Sequence, residues 1–244
     1  MMSTLVTQST IMTSSPRSVL LLGATGLVGS ECLKLLASDP AFERVVVLTR
    51  RPFQAPQTSR VECHQVNFDD PTSFASYLNV DAIICALGTT IKKAGSQDAF
   101  RKVDYEYPLM FAKLAREAGA SHFLLVTSMG PDGKSSNFYL RVKGELEDAV
   151  SNLGYPSVSI FRPSLLLGPR NEFRFGEMIG QKILGAISYM IPRSVRPVKA
   201  SQVASAIIER TKSGEIGTRI VTNSRVVKRC FATSTATLVS MIMR

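Results

Sequence analysis

Apolar runs of strand length alternate with helical periodicity from about Ser18 to Leu167. In chain order they read SVLLLG, a helix through LVGSECLKLLAS, RVVVLTR, VECHQVNF, VDAIICALG, a helix YPLMFAKLAREAG, HFLLVTS, a helix containing NFYLRVKGELE, and SVSIFRPSLLLG. The strand runs are nearly continuous Val, Ile and Leu, the pattern of strands covered on both faces. Such strands separated by helices predict an α/β fold, a doubly wound Rossmann-type parallel sheet. Ligands on these sheets bind beyond the carboxyl ends of the strands, so the residues following each strand are where chemistry is sought.

After Leu167 the pattern changes to Gly, Pro and Arg turns in GPRNEFRFGE, then a helix around MIGQKILGAI, then RPVKASQVASAIIER, which reads as a strand or loop followed by a helix. A small C-terminal substrate lobe from about residue 164 is expected, with Arg170 and Arg174 in the loop over the site. The organisation expected is a disordered leader over 1–17, one domain with its lobe over 18–210, and a tail over 211–244 that the pattern does not assign to any element.

Composition narrows the classes. The chain has 244 residues, enough to bury a substantial core without staples. Its four cysteines (Cys32, Cys63, Cys85, Cys230) show no C-x-x-C spacing and only His64 and His122 are available, so neither a metal site nor a disulfide framework is expected. Cys32 and Cys85 read as small core residues and both histidines as structural. The net charge of +10 is uneven: from Arg210 onward seven Lys/Arg face one acid, Glu215. The remainder is only mildly basic, which suits a phosphate-bearing cofactor better than specific nucleic-acid binding. No run approaches the roughly 20 apolar residues of a membrane span. The leader is Ser/Thr-rich and acid-free like an organelle transit peptide, but its single Arg favours a disordered leader and a cytoplasmic protein, with mitochondria as the alternative.

Directly after the first strand, GATGLVG places Gly23, Gly26 and Gly29 at the start of a helix, with Thr25, Leu27 and Val28 between them. Glycines there permit a tight turn, let backbone approach a pyrophosphate and let helix pack on strand, while the helix N-terminus offers N–H groups to the anion. About twenty residues on, where an NAD site offers an acid to the ribose, the sequence reads VVVLTRRP. Arg50 and Arg51 there suit a 2′-phosphate and predict NADP(H), unless they are simply solvated loop arginines. Asn67 and Phe68 at the end of the third strand fall beside the adenine in this register, and Ala86, Leu87 and Gly88 after the fourth let backbone pass close to the cofactor; both groups also suit ordinary strand-end turns.

Tyr139 and Lys143 are four apart on a helix and so share a face about 6 Å apart at Cβ. A tyrosine ordinarily ionises near pH 10, and a neighbouring ammonium with a positive nicotinamide ring favours its anion, as general acid/base work requires. Taken alone, the pair is better read as an interfacial core tyrosine and a lysine reaching outward to Glu147. Ser128, after the preceding strand in LLVTS, adds a hydroxyl able to orient a substrate oxygen where the fold puts ligands.

Glycine loop, Ser128 and Tyr139-x-x-x-Lys143, in that order, resemble the short-chain dehydrogenase/reductase superfamily. More narrowly, ALGTT, AGSQDAFRKVDYEYP, SSNFYLRVKGELE and IFRPSLLLGPR are similar to its atypical branch of oxidoreductase-like HIV Tat-interactive proteins, over about Ser18 to Arg210. The resemblance implies NADP(H) as cofactor, a carbonyl or alcohol as small-molecule substrate, Ser128, Tyr139 and Lys143 as catalytic residues, and cofactor contacts from Pro163 and Ser164 beside Arg162. It also implies a possible protein partner, and the alternative of an NADPH-binding regulatory protein without robust turnover. One departure stands out: where many extended relatives carry an asparagine, this chain has Asp104, so a proton relay through that asparagine is not expected.

Overall fold

The computed structural model describes residues 17–54, 56, 58–167 and 196–223. Leader residues 1–16, the GPRNEFRFGE turns with Arg170 and Arg174, the helix expected at MIGQKILGAI, and the tail after Asn223 lie outside these.

Within them the chain forms β1 (Ser18–Leu22), α1 (Leu27–Ser38), β2 (Arg44–Thr49), β3 (Val61–Gln65), β4 (Ala82–Cys85), α2 (Ile91–Ala94), α3 (Gln97–Arg101), α4 (Tyr107–Glu117), β5 (His122–Val126), α5 (Phe138–Ser151), β6 (Ser157–Arg162), β7 (Leu166–Leu167), β8 (Val198–Lys199), α6 (Ala200–Lys212) and β9 (Gly217–Thr222). Between α3 and α4, Lys102–Glu106 winds as a π-helical turn. Seven strands build one sheet in the order β3-β2-β1-β4-β5-β6-β9, every pairing parallel, and β7 and β8 form a separate short parallel pair. This is the doubly wound, Rossmann-like arrangement that the strand pattern predicts.

Alternation within the buried runs sorts the side chains between two faces. Val19, Leu21, Val45, Val47, Ile84 and Leu124 pack with Cys32 and Leu36 of α1 and Val203 and Ile207 of α6. Leu20, Leu22, Val46, Ile83, Cys85, Phe123 and Leu125 pack on the other side with Phe111 and Ala115 of α4 and Leu146 and Val150 of α5. Cys32 and Cys85 are wholly buried, and burial pushes both thiols up to about 12. Chain order reverses direction between β1 and β4, so a crevice opens above their carboxyl ends.

The fold continues beyond Arg210, where the tail was expected to start: α6 runs to Lys212 and β9 closes the sheet alongside β6. GTRIVT is an edge strand exposed over most of its length, so it lacks the continuous apolar run that marks the inner strands.

A buried polar network ties this edge to the core. His122 of β5 lies 3.0 Å from the Ser159 hydroxyl of β6, which accepts from Arg210 Nε of α6 at 2.9 Å, and Arg210 is ion-paired with Glu215 just before β9. Burial, aided by the Arg210 charge, lowers the His122 pKa from 6.5 to about 3. The folded chain therefore keeps His122 neutral where the unfolded chain protonates it, so this residue costs stability as pH falls from about 6.5 towards 3. At pH 5 the loss relative to pH 7 is about 2 kcal/mol. Urea unfolding at the two pH values should show His122→Asn missing that share of the acid sensitivity; an unchanged pH dependence would refute the assignment.

Candidate active site

The crevice is a cleft of about 660 Å³. Its floor comes from the loops after β1 and β4, with Gly23, Thr25, Gly26, Leu27 and Val28 on one side and Ala86 to Thr90 on the other. Arg50 and Arg51 enter from the end of β2, Lys93 from α2, Lys102, Asp104 and Tyr107 from the π turn and the start of α4, Val126 and Thr127 from β5, and Tyr139 and Lys143 from α5.

The glycine loop is built by backbone contact. Gly23 has φ +84°, and a Cβ there would lie 2.5 Å from the Ala86 carbonyl oxygen. A Cβ on Gly29 would lie 2.1 Å from the Gly23 carbonyl oxygen, so α1 packs directly on the turn below it. Gly26 caps α1 without any side-chain hydrogen bond, and no acidic residue sits in the first helical turn. The first N–H groups and the positive end of the helix dipole thus open on the cleft, an arrangement that fits a pyrophosphate.

Among the charged side chains lining the cleft, Arg50, Arg51, Lys93, Lys102 and Lys143 face one acid, Asp104. Arg50 holds its guanidinium 5.8 Å from the Phe68 ring centre and 5.7 Å from that of Tyr107. Lys102 pairs with Asp69 at 2.8 Å, and Tyr107 donates to the same Asp69 oxygen at 2.9 Å. That cluster joins the end of β3 to the start of α4.

Helix α5 begins under control of Asn137, whose side chain accepts from the Leu140 N–H. The loop before it is pressed against the helix at Gly144, where a Cβ would lie 2.1 Å from the Gly133 nitrogen. Tyr139 is half-buried, its ring 5.4 Å from that of Phe100. Lys143 is buried, with its ammonium 2.7 Å from Asp104 Oδ1; Asp104 Oδ2 accepts from the Thr89 N–H at 2.8 Å. Burial alone would lower the Lys143 pKa, but the negative charge of Asp104 and the bond to it outweigh burial and hold the ammonium above its ordinary range. One turn on, buried Glu147 accepts from the Thr127 hydroxyl at 2.6 Å and from Arg162 Nε at 3.0 Å, tying the ends of β5 and β6 to α5.

The cleft thus gathers Gly23, Thr25, Gly26, Leu27, Val28, Arg50, Arg51, Ala86, Leu87, Gly88, Tyr139 and Lys143 from the residues singled out in the sequence. Others stand apart from its lining. Gly29 acts in helix packing. Phe68 was expected beside an adenine, but its side chain is 2% exposed and meets the rings of Phe111 at 4.8 Å and Tyr107 at 5.4 Å. Asn67 is exposed and caps the turn after β3, its side chain accepting from the Asp69 N–H. Pro163 is buried, and the Ser164 hydroxyl donates to the Arg196 carbonyl. Ser128 is buried, and its Oγ has no hydrogen-bond partner among the described residues. Sequence reasoning missed Thr89, Lys102, Tyr107 and Thr127 as cleft residues and Asp104 as the partner of Lys143; an acid within a helical stretch was the visible signal. Among the described residues no group of His, Cys, Asp and Glu could hold a metal ion, and no helix is long and apolar enough to cross a membrane.

Comparison with known proteins agrees with the fold and with a nucleotide-binding domain. Residues 23–182 match the family model described as NAD(P)H-binding. Protein HTATIP2 of Rattus norvegicus is 38% identical over 174 residues, covering 70% of this chain and 72% of the relative. Protein FMP52, mitochondrial, of Candida albicans is 36% identical over 205 residues, covering 81% and 89%. Among solved structures, the Bordetella bronchiseptica enzyme WbmH in complex with NAD+ superposes with a TM-score of 0.65 at 15% identity, over 84% of this chain and 75% of that one. A putative NAD-dependent epimerase/dehydratase from Bacillus halodurans gives 0.61 at 20% identity, over 87% and 99%. At such identities these structures speak for the fold.

Two glycine substitutions separate packing from binding. Ala at a helix position gains about 1 kcal/mol over Gly, but at Gly29 the backbone overlap outweighs this, at a cost of about 1–3 kcal/mol. Gly26→Ala, whose Cβ would lie 3.3 Å from the Gly23 carbonyl oxygen, should cost less. Chemical unfolding should therefore rank Gly29→Ala below Gly26→Ala; the reverse order would contradict the loop geometry.

Proposed function

This chain belongs to the NAD(P)H-binding family that takes in the HTATIP2 and FMP52 proteins, and from that premise we propose that it is an NADP(H)-dependent oxidoreductase acting on a carbonyl or alcohol. The observation that carries the reading is convergence: the open N-terminus of α1, the arginines after β2 and the Tyr139–Lys143 pair all line one cleft at the switch point of the sheet.

Backbone N–H groups at the open start of α1, from Leu27 and Val28, hold the pyrophosphate, the Gly26 N–H being used to close the turn on Gly23, and Ala86, Leu87 and Gly88 form the wall it passes. Arg50 and Arg51 take the 2′-phosphate, and the Phe68 and Tyr107 rings brace the Arg50 guanidinium. Asn67 reaches the adenine edge, the Phe68 contribution being through its backbone. Pro163 and Ser164 border the nicotinamide end. A nicotinamide held there would supply or accept the hydride. Tyr139 gives a proton to, or takes one from, the substrate oxygen, and Lys143 keeps positive charge beside it. Ser128, whose hydroxyl has unused hydrogen-bonding capacity, orients that oxygen. The fungal relatives are named as mitochondrial, which supports mitochondria over the cytoplasm as the compartment.

A fluorescence titration tests the cofactor assignment: NADPH should bind at least about tenfold tighter than NADH, and Arg50→Ala should abolish the preference. Equal affinities in the wild type would remove the case for NADP(H). With a panel of carbonyl compounds, Tyr139→Phe should lower NADPH oxidation by about 10²–10⁴-fold. Full turnover in that variant would overturn the role given to Tyr139.

A further inference from the structure

Asp104 is the least expected member of the site. It is wholly buried, and the π turn Lys102–Glu106 carries it towards α5. Turns of this kind break the regular i to i+4 ladder and recur at functional sites. One carboxylate joins three elements here: Oδ1 meets the Lys143 ammonium of α5 at 2.7 Å, and Oδ2 accepts the Thr89 N–H from the loop after β4 at 2.8 Å. The Lys143 side chain is 5% exposed, so the pair is shielded from water and its mutual charge is poorly screened.

The surrounding charges are committed elsewhere. Glu147, one turn along α5, is held by Thr127 and Arg162. Glu145 pairs with Arg101 of α3 at 2.6 Å, and Lys102 pairs with Asp69. Cys85, ending β4, is a neutral thiol, and Lys93 of α2 lines the same cleft. Phe100 of α3 is the ring that meets Tyr139. Asp104 is thus the carboxylate in contact with Lys143.

We propose that Asp104 is the positioning residue of this site: it fixes the Lys143 ammonium in the cleft before any cofactor enters, and offsets the positive charge that would otherwise stabilise a tyrosinate at Tyr139. The inference rests on the oxidoreductase reading and deepens it. With the lysine charge balanced by a carboxylate 2.7 Å away, Lys143 stabilises a tyrosinate less than an uncompensated ammonium would, which favours the hydroxyl form that gives its proton to a carbonyl oxygen and regains one from solvent. Alcohol oxidation needs the tyrosinate, so it gains speed only as pH rises.

Tyrosinate absorbance followed against pH in the cofactor-free full chain tests this, with Tyr139→Phe subtracted to isolate the one residue. Asp104→Asn, which keeps the shape and removes the charge, should ionise Tyr139 at least about one pH unit lower than wild type, a tenfold rise in tyrosinate at fixed pH. The double variant Asp104→Asn/Lys143→Met, which leaves neither buried charge, should titrate with the wild type, since both have a balanced site. It also carries the test if the single variant does not fold. A folded Asp104→Asn that titrates with the wild type, or a double variant titrating a full unit or more above it, overturns the proposal. Circular dichroism establishes that each variant is folded. A purely structural role for Asp104 would lower melting temperature without moving the Tyr139 titration. Absence of NADPH oxidation across the carbonyl panel would instead overturn the oxidoreductase reading, with the titration still deciding the charge balance.

Discussion

At the end of β1 the backbone of Gly23 comes so near Ala86 that no side chain fits between them, and Gly29 on α1 comes equally near the Gly23 carbonyl. These two approaches draw the ends of β1 and β4 and the first turn of α1 to one point. The direction in which α1 leaves the sheet follows from them, and so does the exposure of its leading N–H groups to the cleft. Everything placed around that point, from the arginines after β2 to the tyrosine on α5, takes its position relative to it. A bulkier residue at either glycine would widen the junction and retract the helix end from the cleft.

Away from this junction both ends of the sheet are organised by buried charges, Asp104, Lys143 and Glu147 at the carboxyl ends of the strands and Arg210 nearer the amino ends. Asp104–Lys143 joins the loop after β4 to α5, Glu147 joins β5 and β6 to the same helix, and Arg210 with Glu215 joins α6 to the last strand. Buried ion pairs of this kind contribute little net stability against apolar replacements, because desolvation offsets most of the attraction. Losing one partner is costly, however, so each pair penalises any arrangement that separates its elements. Specific placement of the cleft walls therefore comes from polar groups, while the two apolar layers hold the sheet and helices together.

Much of this was legible in the sequence, because parallel strands buried on both faces leave unbroken Val, Ile and Leu runs, and GATGLVG sits where the first of them stops. The Tyr139–Lys143 spacing was equally visible, since helical period alone puts both on one face. What escaped depended on contacts distant in sequence. Nothing local in RKVDYEYP marks the π turn, and only the folded chain brings Asp104 to Lys143, thirty-nine positions further on. Phe68 reads as a strand-end residue, yet β3 stops at Gln65 and the chain turns Phe68 back under α4. Strand β9 was missed because an edge strand with one neighbour can carry Thr and Arg.

That edge strand bears on how the chain comes to be folded. It lies parallel to β6, pairing Ser157 with Gly217 and Arg162 with Thr222, so its partner is about sixty residues earlier in the chain. A parallel neighbour cannot be reached by a hairpin; α6 must cross back over the sheet first. During synthesis the cofactor-binding half can assemble while one side of β6 still shows unpaired N–H and C=O groups. Until residues near Thr222 emerge, that row is a template for another chain's strand. Loop closure over such a distance is slow compared with helix formation. Docking of β9 therefore does more than complete the sheet: it covers the edge of β6 at which pairing with another chain would begin.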